Sequence, residues 1–337
     1  MSPETYGAAV LGIDFGATNI KGVLVDAQGR ALESFIESSN IHDGQEATLA
    51  RVSDLVKEKV AHAGAMGIRI ESMGLGVCGP VNQADGTVTE SPVLPGWKDI
   101  PFMQALSDAT SLSVLVDNDS NVAILGEWWK GAGQGSSVVA GLTLGTGVGG
   151  GLVIDGQIYR GASGFAGEFG HISLAAEPPC PCSGHGCLGR LASATATLAR
   201  YHDLVGAENP LVTSLTDLAM LAESGDSSAR RAIQVSAHYV AEAVLMLVNC
   251  LNPEVFVLCG GMALLGDALL IPARERLNAS TFRQLRQDTR IVAGELGLFS
   301  GCFGAALLAS SGENVLPKKI EKARSSTRPS HLKELRN

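Results

Sequence analysis

Three cysteines, Cys180, Cys182 and Cys187, fall within eight positions, and His171 lies close upstream. Thiolate and imidazole are the donors that a tetrahedral zinc prefers, and four protein ligands close a structural site. The prolines and glycines between them let a short loop wrap an ion. The plainer alternative is a cysteine-rich surface loop or a disulfide. The cluster directly follows Gly167-Glu168-Phe169-Gly170-His171, so a metal knot here would hold a carboxylate and an imidazole rigidly beside a ligand.

Two glycine turns add a second kind of chemistry. Gly145-Thr146-Gly147-Val148-Gly149-Gly150 satisfies G-x-G-x-x-G formally. A dinucleotide fingerprint needs a helix after the turn, so that the helix N-terminus meets pyrophosphate. Here Leu152-Val153-Ile154 continues as a strand, and residues 145–150 read as a hairpin tip whose backbone N–H groups suit polyphosphate. Asp14-Phe15-Gly16-Ala17-Thr18 supplies a similar tip with an acid at its base, placed to orient the waters around Mg²⁺. Either turn alone reads as an ordinary hairpin. The two together, with Cys259-Gly260-Gly261 after a late strand, point to a nucleotide cleft.

The elements that must position these residues follow from periodicity. Residues 7–14, 20–25, 70–78, 138–144, 152–154 and 254–258 read as strands, with a further strand ending at Asp117-Asn118-Asp119. Residues 45–64, about 121–129, 227–250 and 301–310 read as helices. Two strand–turn–strand units about 130 residues apart predict a duplicated α/β architecture with a ligand cleft between the halves.

The chain has 337 residues, enough for two packed domains, and a net charge of −9, which argues against a nucleic-acid surface. Residues 313–337 carry seven Lys/Arg against three Glu and read as a solvated, disordered tail. No apolar run reaches the ~18 residues of a membrane span, and no basic leader precedes the first strand, so the expectation is a cytoplasmic protein without a membrane partner. No helix-turn-helix fits before residue 7. Cys78, Cys250, Cys259 and Cys302 sit in apolar or glycine-rich surroundings and are expected to be buried free thiols.

The ordered set of Asp14–Lys21, Leu144–Gly151, Gly167–His171 and the Cys180–Cys187 knot resembles the ROK family of repressors and sugar kinases, from about residue 8 to 310. The resemblance implies the actin-like ATPase (ribonuclease H-like) fold, with two similar α/β domains flanking a cleft. Residues 1–122, completed by helix 301–312, would form the sugar side and first phosphate loop; residues 123–300 would carry the second phosphate loop and the knot. It implies ATP-dependent phosphorylation of a hexose, glucose by default, with ATP, Mg²⁺ and a structural Zn²⁺. A homodimer or higher homo-oligomer is also implied, and Trp128 and Trp129 serve either an interface or core packing.

Asp119 aligns with the catalytic base, and Asn118, Glu168 and His171 align with sugar contacts, His171 also serving the metal with Cys180, Cys182 and Cys187. Asp117 is read as a possible helix cap. Asp14, Gly16, Ala17, Thr18, Asn19, Gly145, Thr146 and Gly147 align with the phosphate loops, and Gly260 and Gly261 with the adenosine side. Lys21 either reaches phosphate or is a solvated strand residue, and His185 is expected to be exposed and not a ligand.

Several positions depart from the family pattern. Ser183 stands for a glycine of the knot, Gly189 for a glutamate that contacts the sugar, Val93 for an asparagine, and Cys78 for a frequent proline. Losing a buried hydrogen-bond partner costs ~1–3 kcal/mol, so the two lost contacts would weaken glucose binding by roughly one to three powers of ten. Either the pocket is reshaped for another sugar, amino sugar or polyol, or a residue such as Arg190 replaces the contact. Two readings from other classes stay open: a non-catalytic sugar-sensing regulator, and a structural zinc protein whose nucleotide site has decayed.

Overall fold

The computed structural model describes residues 7–91, 94, 96–206 and 212–310, so Val93 and the 313–337 tail lie outside the described residues. In chain order, β1 (Ala8–Phe15), β2 (Asn19–Asp26) and β3 (Ala31–Ser38) form an antiparallel meander. Helix α1 (Gln45–Ala65) returns the chain to β4 (Arg69–Val77), which pairs parallel with β1. A short pair, β5 (Val88–Glu90) and β6 (Lys98–Ile100), and helix α2 (Phe102–Thr110) lead to β7 (Ser113–Asn118), parallel to β4, and then to α3 (Asp119–Lys130).

The second half repeats the scheme. Strands β8 (Val138–Leu144), β9 (Val148–Ile154) and β10 (Gln157–Ile158) form a meander. Helices α4 (Leu188–Ala192), α5 (Ala194–Val205), α6 (Leu215–Ser224) and α7 (Ser227–Leu251) precede β11 (Val255–Cys259). Then α8 (Asp267–Ser280), α9 (Arg283–Asp288), β12 (Arg290–Ala293) and α10 (Ser300–Ser310) close the described chain.

The strand orders are β3-β2-β1-β4-β7 and β10-β9-β8-β11-β12, the same pattern twice. This is the duplicated architecture that the two strand–turn–strand units predicted, arranged as in actin-like ATPases. One expectation changes. The β8–β9 turn is shorter than residues 145–150, because β9 already starts at Val148. The reason is steric. A Cβ at Gly149 would lie 2.0 Å from Ser120 Oγ, and one at Gly150 would lie 2.4 Å from the Phe169 ring, so these glycines are strand positions pressed against neighbours.

Helix α10 is rich in small residues because it is buried on several sides. A Cβ at Gly12 or Gly74 would meet the carbonyls of Cys302 and Ala305 at 1.9 Å, so α10 lies directly on the backbones of β1 and β4. Gly304 and Gly126 let α10 and α3 touch in the same way, since a Cβ at Gly304 would sit 1.7 Å from Val122 O. Overpacking of this kind typically costs ~1–3 kcal/mol or more. Among the described residues, α7 is the one helix long and apolar enough to cross a bilayer; here its Ala237, Val240, Val244 and Val248 fill the second core. Cys259 and Cys302 are buried as expected and Cys78 is half-buried, but Cys250 is exposed on the outer face of α7.

Candidate active site

The first tip is built by register. Asp14 on β1 stands opposite Lys21 on β2, and Lys21 Nζ donates to Asp14 Oδ2 at 2.7 Å. Burial pulls the Lys21 pKa down, and the Asp14 carboxylate more than reverses this, so its pKa is raised. Lys21 is therefore not a solvated strand residue; it is the counter-ion of Asp14 at the base of the tip. Gly16, Ala17, Thr18 and Asn19 turn between the strands, pinned by Gly16 N donating to Asn19 O and Ser39 Oγ donating to Ala17 O.

The second tip, Gly145-Thr146-Gly147, is held from behind. Ala194 N donates to Gly145 O and Thr195 Oγ1 donates to Thr146 O, both at 2.9 Å. A Cβ at Gly145 or Gly147 would meet nothing within 4 Å, so this tip opens onto free space. Gly260, at φ +86, passes so near β8 that a Cβ would lie 2.6 Å from Leu144 O, while Gly261 is unobstructed.

Between the tips, β7 runs into α3. Asn118, and not Asp117, caps the helix: its Oδ1 accepts from Ser120 N at 2.9 Å and Asn121 N at 3.2 Å. Its Nδ2 donates to Gly79 O at 3.3 Å. Asp117 is 1% exposed and takes Arg160, whose Nε donates to Oδ2 at 2.7 Å, while Asn118 N and Asn121 Nδ2 donate to Oδ1.

Asp119 opens the helix. Its Oδ1 accepts from Ser120 N at 2.8 Å and from Ser120 Oγ at 3.3 Å, and Ser120 Oγ lies 2.7 Å from Thr143 Oγ1 on β8. Burial, reinforced by the charges of Asp14 and Glu168, pushes the Asp119 pKa up to about 6. A carboxylate with that value is a competent proton acceptor near neutral pH. Cys78 lies in the same field, and burial pushes its thiol up first, with Asp119 adding to the shift.

The knot brings its four residues together. The ligand atoms of His171, Cys180, Cys182 and Cys187 all lie within 4.8 Å of one another, with Cys182 Sγ 3.6 Å from Cys187 Sγ and Cys180 Sγ 3.7 Å from His171 Nδ1. Tetrahedral zinc with sulfur at ~2.3 Å spaces its ligand atoms by roughly 3.7 Å, so the donor set fits that ion. The thiols oppose one another electrically. A backbone hydrogen bond from Gly184 and the neighbouring cysteines bring Cys182 down to about 7, while burial and the same neighbours drive Cys187 up to about 12. A dication held by the three sulfurs and His171 would relieve that conflict by favouring the thiolates.

The other ring nitrogen, His171 Nε2, faces Glu168 Oε2 at 3.9 Å, and both side chains are about half exposed. Ser183 adopts φ +68, the left-handed conformation that explains a glycine at this place. His185 is exposed and outside the cluster, as expected. At Gly189 a Cβ would have its nearest neighbour, Gly170 O, at 3.4 Å, so the residue leaves room beside the knot. Arg190 is exposed on α4.

Four polar residues were not anticipated. Ser120 and Thr143 join the base to β8, and Arg160 joins the two halves. Glu127, fully buried on α3, accepts from Ala132 N, Glu295 N, Leu296 N and Ser300 Oγ at 2.7–3.1 Å. An isolated acid in an apolar helix gives no sequence signal for such a role. Trp128 donates Nε1–H to Ser136 O and Trp129 packs edge-on to Phe303, so internal packing accounts for both.

Comparison with known proteins places the chain in a family. Residues 10–311 match the ROK family. The glucokinase of Halalkalibacterium halodurans is 33% identical over 323 residues, which span 92% of this chain and 98% of that protein. The crystal structure of a ROK family glucokinase from Streptomyces griseus in complex with glucose and AMPPNP superposes with a TM-score of 0.77 at 29% identity, covering 90% of this chain and 100% of that one. The xylose repressor of Caldicellulosiruptor bescii is 30% identical over 284 residues, covering 81% of this chain and 71% of that protein.

Proposed function

The chain belongs to the ROK family, and from that membership and the acid cluster in its cleft we infer that it is an ATP-dependent sugar kinase of the glucokinase type. The observation that carries this reading is Asp119, oriented through one oxygen by Ser120 and held near a neutral pKa at the floor of the cleft. Its other oxygen takes the proton from the sugar hydroxyl as that oxygen attacks the γ-phosphate. Phosphoryl transfer asks the protein mainly for alignment and charge neutralisation. The tips at Gly16–Asn19 and Gly145–Gly147 cradle the phosphates in this reading, and Gly260 and Gly261 flank the adenosine. Asp14, a hard oxygen donor at the base of its tip, would hold Mg²⁺, which would supply charge neutralisation to the phosphates.

Glu168, His171 and the free N–H of Asn118 bind the sugar hydroxyls, and the knot holds a structural zinc that fixes the imidazole. We place the boundary between the lobes near residues 122 and 123. Val122 packs towards Gly76 of the first sheet, whereas Ala123, Ile124 and Leu125 join the core of the second. None of the seven cysteines is paired in a disulfide, which supports a reducing, cytoplasmic setting. Pairing of copies is part of the reading on the strength of family resemblance alone.

A second acceptor class is supported by Gly189, where the family pattern implies a glutamate and this chain offers no side chain to the sugar. A coupled assay of ADP release over hexoses, hexosamines and cyclic polyols tests both. At least one sugar should be turned over, and Asp119→Asn should lower kcat by ~10²–10⁴-fold. No turnover on the whole panel, with sugar binding intact, would transfer the chain to the regulator reading.

A further inference from the structure

Arg160 follows β10 and begins an irregular strap that ends at Glu168. The strap has no regular element of its own, and Gly161, Gly164 and Gly167 take φ values of +69, +91 and +100. It is closed at one point by Ala166 N donating to Arg160 O at 3.1 Å. Both of its ends rest on the β7–α3 corner. At the first end, Arg160 Nε and its terminal nitrogen reach Asp117 Oδ2 at 2.7 and 2.5 Å. At the second, Gly167 is so close that an added Cβ would lie 3.4 Å from Asn121 Oδ1, and Asn121 Nδ2 donates to Asp117 Oδ1 at 3.0 Å. Asp119 lies between Asp117 and Asn121 in the chain.

We propose that Arg160 is a positioning residue: its ion pair with the buried Asp117 fixes the strap, and with it Glu168, against the corner that presents Asp119. This rests on the kinase reading of the cleft. The two sugar-binding edges come from different sheets, and Arg160 is the cation that ties the strap of one to the corner of the other. Lysine would not replace it well, because two nitrogens of the planar fork converge on a single oxygen. The pair also has an electrical role. Asp119 already faces the charges of Asp14 on β1, Glu168 on the strap and Lys21 on β2, with the Cys78 thiol nearby. Arg160 keeps the Asp117 charge from adding to that group.

Arg160→Gln separates these roles from simple folding. The sugar KM should rise about tenfold or more, as expected for a misplaced contact, while the KM for ATP stays within about twofold. The acid limb of kcat/KM should move to higher pH, since an uncompensated Asp117 carboxylate disfavours ionisation of Asp119. The double variant Asp117→Asn/Arg160→Gln removes that charge; it should return the limb towards the wild-type position, leave the sugar KM high, and restore any loss of thermal stability. Hydrogen exchange over residues 161–168 should quicken in Arg160→Gln whether or not any sugar is turned over. A silent sugar panel for the wild type would therefore overturn the kinase reading without touching the strap. A folded Arg160→Gln with unchanged exchange in the strap and unchanged sugar KM would overturn the proposal.

Discussion

Replacing Asp119 by asparagine removes the base and should also make the protein harder to unfold. The carboxyl is displaced from its ordinary 3.8 to about 6 by burial and by the charges of Asp14 and Glu168. Each pKa unit corresponds to about 1.4 kcal/mol, so keeping Asp119 ionised in the folded protein costs roughly 3 kcal/mol at neutral pH. The side chain is partly exposed, and solvent trims this towards about 2 kcal/mol. The sign follows from proton counting. Between pH 3.8 and about 6 the folded chain holds the Asp119 proton and the unfolded chain has lost it, so this contribution to stability falls as pH rises through that window.

Asparagine carries no such charge, yet its Oδ1 can still accept from Ser120 N. Urea unfolding of both proteins at a series of pH values reads the difference. The variant should match the wild type below pH ~4 and exceed it by about 2–3 kcal/mol at pH ~7. A difference that is flat with pH, or a variant less stable at neutral pH, would refute the claim that this acid is held against its own electrostatic preference.

The same titration sets catalysis: kcat/KM for the preferred sugar should fall with unit slope as pH drops through about 6, because the base must be deprotonated, and an acid limb near 4 would contradict the shift. Glu127→Ala leaves three part-buried N–H donors and the buried Ser300 hydroxyl without this acceptor, so unfolding measurements should show a loss of about 2–4 kcal/mol, and a loss under 1 kcal/mol would show that water replaces the carboxylate. Elemental analysis should find about one zinc per chain, and stripping it with a chelator should lower both thermal stability and sugar affinity. Unchanged sugar affinity in verified metal-free protein would uncouple the knot from the site.

The parts of this cleft that were legible in the sequence are those where backbone chemistry restricts residue type. Glycine tips, the Cys/His cluster and the strand after Gly151 could be read because few residue types satisfy a tight turn or a soft-metal shell. The start of α3 was misplaced by two residues, since Asp117, Asn118 and Asp119 all cap helices well and only the structure shows which one does. The β8–β9 turn was overextended because glycine is also what a strand needs where a hydroxyl or a ring lies within 3 Å of it. Helices α4, α5, α6 and α8 went unread among short, mixed segments. Arg160 and Glu127 were invisible for a different reason: each acts through a partner more than 40 residues away, at Asp117 and at Ser300, and no local pattern encodes such a distance.

The two halves of the cleft meet their electrostatic demands differently. On the first sheet, Asp14 is met by Lys21 and Asp117 by Arg160, which leaves Asp119 as the acid without a cation of its own. That omission raises its pKa, and it also works against folding. On the second sheet the conflict is among thiols, where Cys182 and Cys187 are pushed in opposite directions. His171 stands at the junction, with one nitrogen towards the thiols and the other towards Glu168, one of the charges that raises Asp119. In the proposed kinase, an ion in the knot would fix the imidazole beside Glu168, and Glu168 is one of the two acids whose charge raises Asp119.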